Sequence, residues 1–146
     1  MSTTMKEILE FANENATAWL ATAEDNQPYV RGMWMWYADE TGFYFHTAKA
    51  KRMCGQIEKN PKVAAAFIRD AETEKFATLH VEGTIEEVKD EALLQKLLKE
   101  RAWLSANINA SGVDTEVVIY RINHGTAYIW DMSWNVNESK IPRVTF

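Results

Sequence analysis

The sequence alternates short apolar stretches with polar turns, and this spacing restricts the possible folds more than any other feature. The stretches are rich in aromatic and β-branched residues, which is typical of β-strands. They lie at 17–22, 29–37, 43–47, 63–69, 76–88, 116–122 and 126–131. Six or seven short strands with few helices predict a mainly β, α+β fold, in which antiparallel strands form a closed or split barrel.

The turns between these strands are marked by polar residues. Glu24–Gln27 and Asp39–Gly42 are predicted turns, and Asn123-His124-Gly125 is predicted to join the last two strands as a hairpin. The strand Tyr29–Tyr37 is apolar apart from Arg31. We therefore expect either that both its faces are covered or that one face lies against a partner subunit.

Helical periodicity appears in three places. Apolar residues at i, i+3, i+4 and i+7 predict helices over 5–15 and over 50–60, where Asn-Pro ends the helix. A third helix is predicted over 90–101, with Asp90 as its cap and a buried stripe of Leu93, Leu94, Leu97 and Leu98. Residues 103–112 are predicted to be a loop or a broken helix, and the tail 133–146 is predicted to be irregular.

Composition excludes several classes of function. The 146 residues fit one domain, 1–146, and a net charge of −5 argues against nucleic acid or an anionic membrane as a partner. Met1–Lys6 lacks the pattern of a signal peptide, and no apolar run approaches the roughly 18 residues of a membrane span. The one cysteine, Cys54, rules out an internal disulfide, and we expect a cytoplasmic protein.

A group of basic residues surrounds a predicted helix start. Thr47 is followed by Lys49, Lys51 and Arg52, which together with free helix N–H groups can hold a phosphate. The alternative is an exposed basic helix face. Arg31 favours the phosphate, since a cation in an apolar strand needs an anionic partner, although a salt bridge to Glu82 would also satisfy it.

Aromatic residues next to this group could hold a flat ring. Met33-Trp34-Met35-Trp36 is either core or one wall of a ring site, and His46 is either a proton donor, a ring contact or a structural histidine. The three histidines and Cys54 have no metal-ligand spacing to one another. No serine has a nucleophile-elbow context, so hydrolase chemistry has no support.

The order of these motifs resembles the pyridoxamine 5′-phosphate oxidase-like FMN-binding split barrels. The resemblance rests on Arg31, Tyr44-Phe45-His46-Thr47, Lys51-Arg52, Asn60-Pro61-Lys62-Val63 and Gly83, and it is clearest over 11–88. It implies a six-stranded split barrel that forms a homodimer, with two FMN sites at the dimer interface.

The resemblance also implies roles for individual residues. Arg31, Lys51 and Arg52 would hold the FMN phosphate with Thr47 beside it. Gly32, Met33 and Trp34 would run along the isoalloxazine, and His46 would lie near the ribityl chain or the ring. Trp130 or Trp134 would come from the partner subunit. Met53 stands where many members carry a lysine, so Lys51 or Lys49 would supply that charge.

The pattern looks most like the nitroimidazole-reductase and general-stress-protein branches, which implies a flavin reductase with NADH or NADPH as electron donor and an unassigned acceptor. The segment that true pyridoxamine phosphate oxidases use for substrate is not recognisable. His46 is a candidate catalytic residue, and no other is assigned. The alternatives are a non-catalytic module that binds FMN or haem, a deazaflavin-dependent reductase, and a flavin-free structural dimer.

Overall fold

A computed structural model describes residues 3–146, which contain eight strands, four α-helices and two short 3₁₀ turns. The first two residues of the predicted domain 1–146 and of the segment Met1–Lys6 lie outside the described residues. In chain order the elements are α1 Met5–Glu14, β1 Thr17–Glu24, β2 Gln27–Trp34, β3 Tyr37–Asp39, β4 Gly42–Ala48, α2 Arg52–Lys59, β5 Lys62–Arg69, β6 Ala77–Glu87, α3 Glu91–Glu100, α4 Trp103–Ser111, β7 Val117–Asp131 and β8 Val144–Thr145.

The strands form one antiparallel sheet in the order β2-β1-β5-β6-β7-β4-β3. β2 and β3 are the two edge strands of this sheet, but only two residues separate them in the chain. The Met35 N–H donates to the Ala16 carbonyl at 2.9 Å, and the Trp36 N–H donates to the Tyr44 carbonyl at 2.8 Å. These two residues therefore join the edges of the sheet and close it into the predicted barrel.

This closure corrects the prediction of one strand over Tyr29–Tyr37. The chain stops pairing with β1 after Trp34 and starts pairing with β4 at Tyr37. Therefore β2 pairs with β1 and does not form a hairpin with β4. Met35 is fully buried at the crossover. The outer face of β2 is open in the single chain, because Val30 is 64% exposed and Trp34 is 52% exposed.

The predicted hairpin at Asn123-His124-Gly125 is wrong, because β7 runs through these residues without reversing. The pairing of β6 with β7 shifts by one residue between Thr84 and Ile85, which leaves Asn123 as the extra residue of a bulge. Gly83 faces Gly125 beside this bulge. A Cβ atom on Gly83 would lie 2.0 Å from the His124 carbonyl oxygen, so the two strands can approach each other only with glycine there.

Two later segments are more regular than predicted. Residues 103–111 form the continuous helix α4, which ends at Gly112 in the left-handed region with φ 70°. No side chain caps this helix and none of its residues is buried, so the sequence shows no clear helix pattern there. In the tail, β8 pairs with β7, and Phe146 exchanges two backbone hydrogen bonds with Gly125.

The core fills the barrel, and α1 covers one end of it. Thr4 begins α1 with a capping box to Glu7, and Ile8, Phe11 and Ala12 of this helix are buried. A second, smaller cluster lies under α3, where Leu97 packs against the outer face of β4 and β7. Within residues 3–146, no helix has the length and apolar character needed to cross a bilayer.

We predict that Gly83→Ala destabilises the fold by about 3 kcal/mol or more, because the new methyl group meets backbone atoms that cannot rotate away. Gly55→Ala is the matched control: among residues 3–146, nothing beyond its chain neighbours and the backbone of its own helix lies within 4 Å of its Cβ position, and alanine in a helix interior stabilises by up to about 1 kcal/mol. Urea unfolding of both variants measures the difference. Equal midpoints for the two variants would contradict the close approach of β6 and β7.

Candidate functional site

A cavity of about 460 Å³ lies between the end of β2, the β4–α2 connection and α4. It brings together six of the predicted site residues, namely Gly32, Met33, Trp34, His46, Thr47 and Lys51. The opposite wall comes from α4, whose contribution the sequence did not predict, through Trp103, Leu104, Asn107, Ile108 and Ser111. The barrel closure explains the meeting of β2 with β4, since residues 35 and 36 bring the ends of these strands side by side.

Thr47 presents an unsatisfied polar atom at the cavity. Its side chain is only 5% exposed, and its Oγ1 has no hydrogen-bond partner among residues 3–146. A buried hydroxyl without a partner costs free energy. Its location on the cavity wall means that a bound molecule could supply the missing partner.

Lys51 adds a positive charge at the same place. It is the N-cap residue of α2 and is exposed, and no carboxylate of residues 3–146 lies within ion-pairing distance of it. In contrast, Lys49 pairs with Glu87 at 2.6 Å and with Glu58 at 3.5 Å. Lys51 therefore remains available to an anion, whereas Lys49 is already neutralised.

Arg31 lies beside α2 and does not pair with Glu82. Its guanidinium donates to Thr22 Oγ1 at 2.9 Å, to Gln56 Oε1 at 2.8 Å and to the Leu20 carbonyl at 3.2 Å. All three acceptors are neutral, and within the described chain no carboxylate reaches Arg31. The side chain is thus oriented by hydrogen bonds while its charge stays uncompensated.

Arg52, in contrast, contacts side chains of the β1–β2 hairpin. Its guanidinium contacts Glu24 at 3.3 Å and the Tyr29 hydroxyl at 2.9 Å, and it does not line the cavity. Met53, which stands where a lysine was expected from the resemblance, is 3% exposed and packs in the core. The predicted cation set is therefore divided between one free lysine, one oriented arginine and one arginine held by a carboxylate.

Trp130 and Trp134 lie away from this cavity. Trp130 is on β7, where its ring contacts Phe76 edge-on with centroids 5.8 Å apart. Trp134 is in a 3₁₀ turn of the tail. Neither lines the cavity of its own chain, so their predicted contribution would have to come from a second subunit.

His46 lies on the cavity wall and is hydrogen-bonded to Arg101, a residue that no sequence motif indicated. Arg101 Nη1 donates to His46 Nε2 at 2.6 Å, and Arg101 also donates to the carbonyls of Trp34 and Met35, both at 3.2 Å. The guanidinium stacks on the Trp34 indole at 3.7 Å, and Trp103 stacks on the same indole with centroids 5.9 Å apart.

The apolar spacing of α3 extends to Arg101. Residues 94, 97, 98 and 101 have i, i+3, i+4 and i+7 spacing, which places Arg101 on the apolar stripe of the helix and so predicts its burial. Burial together with the charges of Arg101 and Lys51 lowers the pKa of His46 to about 4. The imidazole is therefore neutral at pH 7.

Metal chemistry has no support in this arrangement. Within residues 3–146, no group of three or more His, Cys, Asp or Glu side chains is placed to hold a metal ion. The site offers instead a neutral imidazole, a hydroxyl and an ammonium group facing an apolar helix. Such a set suits an aromatic molecule that carries acceptor atoms and an anionic group.

Comparison with known protein families identifies relatives. The family described as pyridoxamine 5′-phosphate oxidase matches residues 4–131. A pyridoxine/pyridoxamine 5′-phosphate oxidase from Crocosphaera subtropica is 36% identical over 59 residues, which are 40% of this chain and 28% of that protein. The chain thus aligns with less than a third of the length of this relative.

Solved structures share the fold over most of the chain. A NimC/NimA family protein from Clostridium acetobutylicum has a TM-score of 0.74 at 20% identity, covering 99% of this chain and 95% of that one. A FAD-binding protein from Mesorhizobium loti has a TM-score of 0.63 at 23% identity, covering 84% of this chain and 89% of that one. These structures confirm the predicted split barrel.

Proposed function

Because the chain belongs to the pyridoxamine 5′-phosphate oxidase family, we propose that it is a homodimeric FMN-binding oxidoreductase of the flavin reductase type. The observation that carries the proposal is the cavity, in which the Thr47 hydroxyl and the Lys51 ammonium group, both without a partner among residues 3–146, lie beside an aromatic and apolar wall. FMN has the matching parts, a phosphate dianion and a flat ring with acceptor atoms along one edge.

The phosphate end of FMN fits the cations that lack a carboxylate. Lys51 Nζ and the Arg31 guanidinium would supply charge, and Thr47 Oγ1 would donate its hydrogen bond. Gln56 supports this assignment: its Oε1 orients Arg31, while its buried Nε2 is a second donor without a partner in the described chain. The contact of Arg52 with Glu24 leaves it a secondary role at most.

The ring would lie along β2 and under α4. Gly32 leaves the strand without a side chain between Arg31 and Met33, so backbone groups can approach a flat ligand. Trp34, Leu104 and Ile108 would exclude water from the ring, and His46 would face one of its acceptor atoms. Bound FMN would supply the electron-transfer chemistry, while these residues bind it, orient it and keep the site dry.

The outer face of the β1–β2 hairpin (Trp19, Val30 and Trp34) supports a dimer. These side chains lie on one face, because Thr17 pairs with Trp34, Trp19 with Gly32 and Ala21 with Val30. They are 50%, 64% and 52% exposed, so large apolar groups cluster on the surface of the single chain. In the proposed dimer a partner covers this face and contributes its Trp130 or Trp134 to the site.

The first test is the identity and reactivity of the bound cofactor. We expect a yellow protein that releases FMN, identified by mass spectrometry, in a ratio of about one per chain. Anaerobic NADH or NADPH should bleach the flavin bands if the protein is a reductase. A flavin that no donor bleaches would favour the non-catalytic module. Released haem or deazaflavin, or a colourless protein that ignores added FMN, would contradict the proposal.

The phosphate assignment has a charge-matched control on the same helix. We predict that Lys51→Met raises the dissociation constant for FMN about ten- to hundredfold, since it removes one charge-assisted contact. Lys59→Met removes the same charge from the other end of α2, where Lys59 contacts Glu24 at 3.4 Å, and should leave the affinity within about twofold. Fluorescence titration measures both constants, and equal losses would show that only overall charge matters.

The dimer is tested on the outer face of the β1–β2 hairpin. We predict that Val30→Lys yields a monomer with weakened FMN binding, because a charge would be buried between the subunits. Val136→Lys, at a position that is 93% exposed in the tail, is the matched control and should remain a dimer. Light scattering at equal protein concentration compares them. A wild-type monomer that binds FMN tightly would overturn the dimer.

A further inference from the structure

Arg101 is a buried cation that forms no ion pair with a carboxylate of the described residues. It is 8% exposed, and no carboxylate of residues 3–146 lies within 4.0 Å of its guanidinium. It donates instead to two backbone carbonyls and to His46. Burying a charge in this way is costly, so the position calls for a purpose beyond the packing of α3.

The contact with His46 fixes the protonation of the imidazole. A guanidinium can only donate hydrogen bonds, so His46 Nε2 must accept the one from Arg101 Nη1. The Nε2 atom therefore carries no proton, and the single proton of the neutral ring lies on Nδ1. Within the described chain, Nδ1 has no hydrogen-bond acceptor, although His46 lies on the wall of the cavity.

We propose that Arg101 is a positioning residue that holds His46 in the Nδ1–H form, so that His46 acts as a hydrogen-bond donor to the molecule in the cavity and not as a base. This inference rests on the proposed function of the cavity as a ligand site. It defines the ligand on that side: an atom with a free lone pair, such as a carbonyl, nitro or carboxylate oxygen or an aromatic ring nitrogen. A ligand group that can only donate a hydrogen bond, such as an ammonium or an amide N–H, is disfavoured there.

The groups around His46 agree with this role. Arg101 approaches from the end of α3 and Lys51 from the start of α2, while the Trp103 ring meets the imidazole edge-on at 6.0 Å. Both charged neighbours are positive, and with burial they lower the pKa of His46 to about 4. The donor form is thus kept throughout the neutral range, and Thr47 and Lys51 place two further donors on the same wall.

The experiment reads the tautomer directly from the nitrogen chemical shifts of His46, by long-range ¹H–¹⁵N NMR on the full chain without added flavin. For the wild type we expect the proton on Nδ1 at pH 7 and a titration midpoint near pH 4. For Arg101→Met we expect the proton to move to Nε2 and the midpoint to rise by more than one pH unit. An Nε2–H tautomer in the wild type, or an unchanged tautomer in Arg101→Met, would overturn the proposal.

Two further variants separate this role from a purely structural one. Lys51→Met removes a neighbouring charge but no hydrogen bond to His46, so the midpoint should rise while the proton stays on Nδ1. Arg101→Lys keeps a donor that cannot accept, and it should restore the Nδ1–H form even if Arg101→Met fails to fold. If Lys51→Met moves the proton to Nε2, overall charge sets the tautomer and Arg101 is not the positioning residue.

FMN serves as the probe for the donor role. Addition of FMN to the wild type should move the Nδ1–H resonance of His46 downfield and slow its exchange with water, as expected when the proton enters a hydrogen bond. Tight binding of FMN without a change in this resonance would overturn the donor role. Failure of FMN to bind would refute the proposed function, while the tautomer measurement would still decide the role of Arg101.

Discussion

The structure depends on how two residues close the barrel. Met35 and Trp36 leave β2 and enter β3 while donating backbone hydrogen bonds to opposite edges of the sheet, at Ala16 and Tyr44. Without this crossover, β2 and β4 would end far apart, and no cavity would form between them. Arg101 binds the carbonyls of Trp34 and Met35 at this crossover and also binds His46. The contacts of Arg101 therefore connect the crossover that closes the barrel to one wall of the candidate site.

The cations around the candidate site fall into two groups. Lys49, Arg52 and Lys59 contact carboxylates and stabilise the surface. Arg31, Lys51 and Arg101 have no carboxylate partner among residues 3–146. Lys51 lines the cavity, Arg101 binds the cavity residue His46, and Arg31 does not line the cavity but contacts Gln56 of α2. The negative net charge of the chain therefore does not indicate the charge of the ligand. The unpaired charges around the site agree with the proposed ligand, which would place an anionic group near α2 and an acceptor atom near His46.

The sequence predicted the features that short-range chemistry determines. The helix α1, the turn at Glu24–Gln27, the Asn60-Pro61 stop and most strands were predicted, and six predicted site residues share one cavity. Features set by distant partners were missed. The apolar run 29–37 changes partners in its middle, and Asn123-His124-Gly125 bulges because β6 lies opposite. The helical spacing predicts that Arg101 is buried. It does not predict the contact with His46, because the two residues belong to different elements.

The long central strand β7 also has a consequence for how the chain assembles. β4 is almost wholly buried, yet apart from the three residues of β3 its pairing partner is β7, with Ala48 opposite Val117. During synthesis, β4 must wait for its partner β7 while β5, β6 and three helices are still being made. Contacts between residues so distant in sequence slow folding, because the intervening chain loses its freedom before the contacts form. The nascent protein is therefore most prone to aggregation before its last third emerges.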